Sequence, residues 1–247
     1  MKLSIRTFGA AVLLACLAMP AAQANVVVGG TRVVLPAEQG EVTVRLSNAN
    51  ERPALVQAWI DRGDPKSSPD SVDTPFLVTP PMFRIEPQRD QNLRILYTGE
   101  ALPADRESVF WLNVLEIPPK PSAQDTANQN YLQVALRSRI KLFFRPKGLA
   151  GDALKAPSQL TFRAVSGDGG TVLVVSNPTA YHVTLSALSV ESAGKSYDGE
   201  TGMVAPFAEL RVHVAGLAKP PAAGAVVHFN AINDYGAPTP FNGATAP

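Results

Sequence analysis

The chain has 247 residues, 45% of them hydrophobic and 17% charged, with 22 Lys and Arg against 21 Asp and Glu. So even a charge balance excludes nucleic-acid binding by phosphate neutralisation, which needs a basic excess. The chain has no apolar run of about eighteen residues, which argues against a membrane span, and its apolar content is too high for disorder. A content of 22 Pro and 18 Gly with few long helix-forming stretches points to β structure cut by turns in a soluble protein.

In chain order, the first segment is a leader. Lys2 and Arg6 form a positive start, Phe8 to Met19 an apolar stretch, and Ala22-Gln23-Ala24 a small-residue cleavage site. Residues 1–24 therefore read as a secretory signal peptide, cleaved near Ala24/Asn25. Lipoprotein-type processing before Cys16, within Leu13-Leu14-Ala15-Cys16, is the alternative; Leu fits the middle position poorly, and the apolar run continues past the cysteine. Cys16 is the only cysteine, so the mature chain lives in an oxidising compartment without a disulfide.

The mature chain suits two β-sandwich domains of about 100 residues each. Composition shifts midway: residues 25–147 hold 15 basic and 14 acidic residues, residues 148–247 only 5 and 7. Arg145-Pro146-Lys147-Gly148 marks the join. The expected division is a first domain over 25–147, a linker over 148–157 and a second domain over 158–247.

Alternation of apolar and polar residues, the period of a half-buried strand, predicts strands around Val42 to Leu46, Leu55 to Ile60, Phe76 to Thr79, Leu93 to Tyr97 and Val109 to Ile117. Tyr131 to Phe144 runs fourteen residues without Gly or Pro, well beyond a usual strand of about 5–6 residues. Leu132, Val134, Leu136, Ser138, Ile140 and Leu142 share one parity; Gln133, Arg137, Arg139 and Lys141 share the other. Such a strand either packs its apolar face inward or presents part of it to a partner. In the second half, strands are expected at Leu160 to Val165, Val172 to Ser176, His182 to Val190, Leu210 to Val214 and Val226 to Phe229. Ser166 to Gly170 is the hairpin between the first two of these, because its glycines accept positive φ.

Catalytic constellations are missing from the sequence. His182, His213 and His228 show no metal-ligand spacing and read as structural histidines. There is no Gly-x-Ser-x-Gly elbow, no catalytic cysteine and no phosphate loop. Asp61, Asp64, Asp70 and Asp73 lack the spacing of a calcium loop and are expected to be solvated loop carboxylates.

The segment Leu102-Pro103-Ala104-Asp105-Arg106-Glu107-Ser108-Val109-Phe110-Trp111-Leu112-Asn113-Val114-Leu115-Glu116-Ile117-Pro118-Pro119 resembles the signature of the periplasmic chaperones of the chaperone-usher pilus pathway. The likeness continues through Thr31-Arg32-Val33, Gln57-Ala58-Trp59-Ile60, Thr79-Pro80-Pro81, Ile140 to Pro146, Asn177-Pro178-Thr179 and Ile232-Asn233-Asp234-Tyr235-Gly236. It implies an all-β fold of two immunoglobulin-like sandwiches in a boomerang arrangement. It also implies an ATP-independent function without cofactor, metal or small-molecule substrate: capture of pilus or fimbrial subunits by strand donation, and delivery to an outer-membrane usher.

By the same resemblance, Arg32 and Lys141 grip a subunit's terminal carboxylate, Leu132, Val134 and Leu136 enter the subunit's apolar groove, and Glu107, Arg145 and Asp234 join the domains. The opposite parity of Lys141 and the three apolar residues calls for a bulge or strong twist between Leu136 and Lys141. The loop Lys120 to Asn130, only modestly extended and without a cysteine pair, places the chain with the short-loop group that serves rod-like pili. The short tail Phe241 to Pro247 leaves the final strand expected to be frayed or missing. The competing function is a secreted two-sandwich adhesin or carbohydrate-binding module, for which Trp59 and Trp111 are the aromatic candidates.

Overall fold

Residues 26–118 and 134–247 are described by the computed structural model. The leader with Cys16, the 120–130 loop, Leu132 and Gln133 lie outside them. In the first domain the alternating runs become β1 (Val26–Val28), β2 (Arg32–Pro36), β3 (Glu41–Asn48), β4 (Ala54–Asp61), β5 (Phe76–Thr79), β6 (Met82–Ile85), β7 (Asp90–Tyr97), β8 (Ser108–Ile117) and β9 (Leu136–Arg145). A sheet ordered β1-β3-β7-β5 faces one ordered β2-β9-β8-β4-β6. Their inward residues, including Leu35, Leu46, Val56, Ile60, Leu93, Ile95, Leu112 and Leu142, form one buried core. Period-two side chains turn one face of each strand to this core and the other to the site described below, where the ends of β4 and β9 are buried on both faces.

The second domain holds β10 (Thr161–Gly167), β11 (Gly170–Ser176), β12 (Val183–Ser192), β13 (Lys195–Asp198), β14 (Gly202–Val204), β15 (Glu209–Val214), β16 (Val226–Ile232) and β17 (Pro238–Ala246). Its strands run β13-β12-β16-β17-β10-β11-β15, with β14 on β12, around a separate core that includes Phe162, Leu173, Val190 and Phe229. The β10–β11 hairpin closes at Gly167↔Gly170, with Gly169 at φ 88°, so Asp168-Gly169 makes the turn expected there. The connection after Arg145 is packed on this domain: Ala156 and Pro157 are buried within a short 3-10 turn, and Leu149 and Ala153 lie against the second core.

Two expectations are corrected. The final strand is fully formed: β17 pairs antiparallel with β16 from Pro238 to Ala244 and parallel with β10 at Thr245 and Ala246, and Phe241 stacks on Phe229. Its prolines are tolerated because only β16 pairs with β17 at Pro238 and Pro240. The fourteen-residue strand shortens as well. Strand β9 begins at Leu136, opposite Glu116, and Val134 and Ala135 precede it outside the ladder.

Candidate functional site

The domain join is built around the last residue of β9. Arg145 Nε donates to Glu107 Oε1 at 2.7 Å, and its Nη1 and Nη2 donate to the two oxygens of Asp234 at 2.8 and 3.0 Å. Glu107 stands just before β8, whereas Asp234 sits in the β16–β17 turn of the other domain. The second Glu107 oxygen accepts the His182 backbone N–H at 2.8 Å, and the Glu107 side chain is 2% exposed. The His182 ring nitrogen Nδ1 approaches the same oxygen at 3.4 Å without hydrogen-bond geometry. Burial works to lower the Arg145 pKa, but the bonds and charges of Asp234 and Glu107 outweigh it and hold the guanidinium ionised. The turn carrying Asp234 reaches the first domain closely. A Cβ at Gly236, where φ is 84°, would lie 2.3 Å from Thr31 Oγ1, so this position requires glycine.

Arg32 and Lys141 are register partners, because β2 runs parallel to the end of β9. Arg32 Nη1 donates to the Ile232 carbonyl of the second domain at 3.0 Å, so this side chain also helps join the domains; its Nε is buried without a partner among the described residues. Lys141 Nζ donates to Thr184 Oγ1 at 3.1 Å and lies 5.7 Å from the centre of the Trp111 ring. Neither cation has a carboxylate within ion-pair distance among the described residues. Burial, with the nearby Arg32 charge second, pushes the Lys141 pKa down to about 8.

Strand β9 leads away from these cations along an open edge. Strand β2 covers it only from Lys141 to Arg145, so Leu136 to Ile140 is paired with β8 on one side and has no ladder partner on the other among the described residues. Leu142 and Phe144 are buried in the core and Ile140 packs against it, but Leu136 is 47% and Val134 67% exposed. The apolar face thus continues past the end of its own core. The expected bulge is absent, since pairing is one-to-one from Ser108↔Phe144 to Glu116↔Leu136. Lys141 and Leu136 lie on opposite faces of an unbroken strand. Leu132 lies outside the described residues.

The opposite face of β9 holds a group that parity alone did not reveal. Asp61, at the end of β4, is 1% exposed, which corrects its reading as a solvated loop carboxylate. Arg139 donates to it at 2.6 and 3.2 Å, Asn113 at 2.7 Å, Ser67 at 3.0 Å and the Gly63 N–H at 2.6 Å. Burial works to raise the Asp61 pKa, but these hydrogen bonds prevail and hold it below the usual carboxylate range. Arg137 binds Asn113 Oδ1, the Pro65 carbonyl and Ser67, pinning the loop after β4 over the sheet. The Arg139 guanidinium lies 4.2 Å from the Trp111 ring centre, and that of Arg137 4.7 Å from Trp59. The available signal was the run Arg137, Arg139, Lys141 on one parity, on strands carrying two tryptophans. The partner carboxylate could not be read from it.

The fold and sequence are shared with known proteins. The family model for the pili and flagellar-assembly chaperone PapD N-terminal domain matches residues 25–150, and that for the pili assembly chaperone PapD C-terminal domain matches residues 155–242. The probable fimbrial chaperone YadV of Escherichia coli is 47% identical over 214 residues, covering 86% of this chain and 87% of the relative. The chaperone protein FimB/FhaD of Bordetella pertussis is 44% identical over 251 residues, 99% of this chain and 97% of the relative. The YadV crystal structure superposes with a TM-score of 0.76 over 90% of this chain and all of that one, at 42% identity. SafA pilin in complex with the SafB chaperone, from Salmonella enterica, gives 0.73 over 91% of this chain and 98% of that chain, at 30% identity. The chain belongs to the PapD family of pilus-assembly chaperones, as two immunoglobulin-like sandwiches joined at a charged cleft.

Proposed function

We propose that the chain is an ATP-independent, non-enzymatic chaperone of the periplasm. It captures fimbrial subunits by lending them a strand, prevents their aggregation and passes them to an outer-membrane usher. The observation that carries this reading is the edge of β9, open among the described residues, apolar on one face and ending at Arg32 and Lys141, two cations with no carboxylate within ion-pair distance among those residues. A subunit strand laid along Leu136 to Ile140 would gain ladder hydrogen bonds, its groove would cover Val134 and Leu136, and its terminal carboxylate would meet the cations. Full burial of each apolar side chain contributes about 1.5–3 kcal/mol. The solved relative described as SafA pilin in complex with the SafB chaperone supports a subunit as the partner. A signal peptide over residues 1–24 would supply the route to the periplasm. The carbohydrate-module reading is disfavoured, since Trp59 is 5% exposed and each indole carries an arginine, so neither is an open sugar platform.

The test is capture in the periplasm. Wild-type, Arg32→Ala and Lys141→Ala chains would be purified and the proteins bound to them quantified by mass spectrometry. Fimbrial subunits should accompany the wild type and fall at least about tenfold with Lys141→Ala, as expected on losing a charge-assisted bond. Arg32→Ala should lose capture too, along with some thermal stability through the Ile232 contact. Undiminished subunit in both variants would remove the anchor assignment.

A pH dependence follows from Lys141. Its pKa near 8 in the free chaperone means that the ammonium is present at neutral pH and lost as pH rises through 8, whereas a subunit carboxylate stays ionised throughout. Affinity should therefore weaken above pH 8, by up to about tenfold per pH unit. Lys141→Arg, which cannot deprotonate in this range, should flatten the profile. Calorimetric titration at pH 7 and pH 9.5 would check both expectations.

A further inference from the structure

The outer face of β9 carries Arg137, Arg139 and Lys141 at two-residue intervals. That spacing raises a register problem for a strand laid along the edge. A slip of one residue turns every side chain to the wrong face, so apolar alternation forbids it. A slip of two residues, about 6.6 Å at about 3.3 Å per residue, keeps every side chain on its own face. Alternation is nearly blind to that error, so the terminal carboxylate must exclude it. It can do so only if one cation of the series is open.

Arg139 is the natural competitor. It is the next outward-facing residue along β9 from Lys141, and the two cations share one indole, at 4.2 and 5.7 Å from the Trp111 ring centre. A carboxylate settling on Arg139 would carry the captured strand two residues out of place. Asp61 already holds that fork through both of its oxygens, and its side chain is 2% exposed. Asn113, Ser67 and the Gly63 N–H fix the carboxylate in turn. Arg137, the third of the series, is engaged by Asn113, Pro65 and Ser67. Among the described residues, the Lys141 ammonium hydrogen-bonds the Thr184 hydroxyl and no carboxylate lies within ion-pair distance of it.

We propose that Asp61 sets the register of the captured strand, by closing Arg139 so that Lys141 remains the single open cation of the series. A buried ion pair adds little net stability compared with apolar packing, and fixing a register is its best-attested use. Asp61 is thus a positioning residue, acting on the subunit through the cation it withdraws. The inference rests on the carboxylate-anchor reading above.

The probe is the subunit recovered with the wild-type chain, co-expressed with each full-length variant, together with a synthetic peptide of that subunit's last ten residues carrying either a free carboxylate or a C-terminal amide. Lys141→Ala alone tests the anchor reading and should lower capture at least about tenfold. Adding Asp61→Asn frees Arg139, and the double variant Asp61→Asn/Lys141→Ala should regain several-fold of the lost capture. Arg139→Met in that background should abolish the gain, which a merely structural role of Asp61 would not predict. If Lys141→Ala lowers capture and the double variant stays equally low despite a native circular dichroism spectrum, the register role of Asp61 is overturned while the anchor stands.

A measurement on the unaltered chain decides the matter even if Asp61→Asn fails to fold. The side-chain nitrogen resonances of Lys141 and Arg139 are followed as each peptide is added. The carboxylate and amide forms should shift Lys141 differently and Arg139 alike. A carboxylate-specific shift at Arg139 would show that this cation is open, contrary to the proposal.

Discussion

Replacing Arg145 by Ala is expected to lower the melting temperature by on the order of 10 °C, because among the described residues it removes the one Arg or Lys paired with a carboxylate that water scarcely reaches. Glu107 is 2% exposed, and with Arg145 gone it keeps just the His182 N–H among its described bonds. Removing one partner of a buried pair typically costs about 3–5 kcal/mol, and for chains of this size each kcal/mol moves the midpoint about 2–4 °C. Asp234 is 31% exposed and contributes less of the penalty. The charge, and not the volume, is the cause, so the double variant Glu107→Gln/Arg145→Met should recover more than half of the loss. Thermal melting of the three chains checks this, and a midpoint unchanged in Arg145→Ala would mean the join does not depend on the network.

The second large effect is on capture alone. Val134→Asp would place a carboxylate where the proposed strand enters an apolar slot, and an unpaired charge there should cut subunit binding by about a hundredfold or more. The free chaperone should not notice the change. Val134 is 67% exposed and precedes the ladder of β9, so melting temperature and circular dichroism should match the wild type. Had this residue been in the chaperone's own core, the same substitution would unfold it. The control is Ala135→Asp, the exposed neighbour of opposite parity. Arg137, which parity alone offers as a neutral control, is unsuitable because it pins the loop at Pro65 and Ser67. Normal capture by Val134→Asp would leave the fold in place and end the strand-donation mechanism for this segment.

What the residues determined by themselves was local and periodic. Alternation located strands around Val42 to Leu46, Leu55 to Ile60, Phe76 to Thr79 and Val109 to Ile117, which lie within the observed Glu41–Asn48, Ala54–Asp61, Phe76–Thr79 and Ser108–Ile117, because a pleated chain with one buried face tends to alternate. Asp168-Gly169 determined its hairpin through the backbone freedom of glycine. The long signature from Leu102 to Pro119 carried the family.

Tertiary structure decided the rest, wherever the outcome depended on a distant partner. Asp61 is separated from Arg139 by 78 positions, and nothing near it in sequence says that a half-buried cation will face it. Arg145 and Asp234 are 89 positions apart and meet only because a turn of the second domain closes on the end of β9. The β8–β9 ladder ends at Glu116↔Leu136, a limit that the unbroken composition of Tyr131 to Phe144 does not mark. The last strand, poor in apolar alternation and holding two prolines, forms because β16 supplies a ready edge and Phe229 a ring to stack on. Side-chain period is a property of one strand; pairing, burial and ionisation belong to the pair, and only the folded chain brings the pair together.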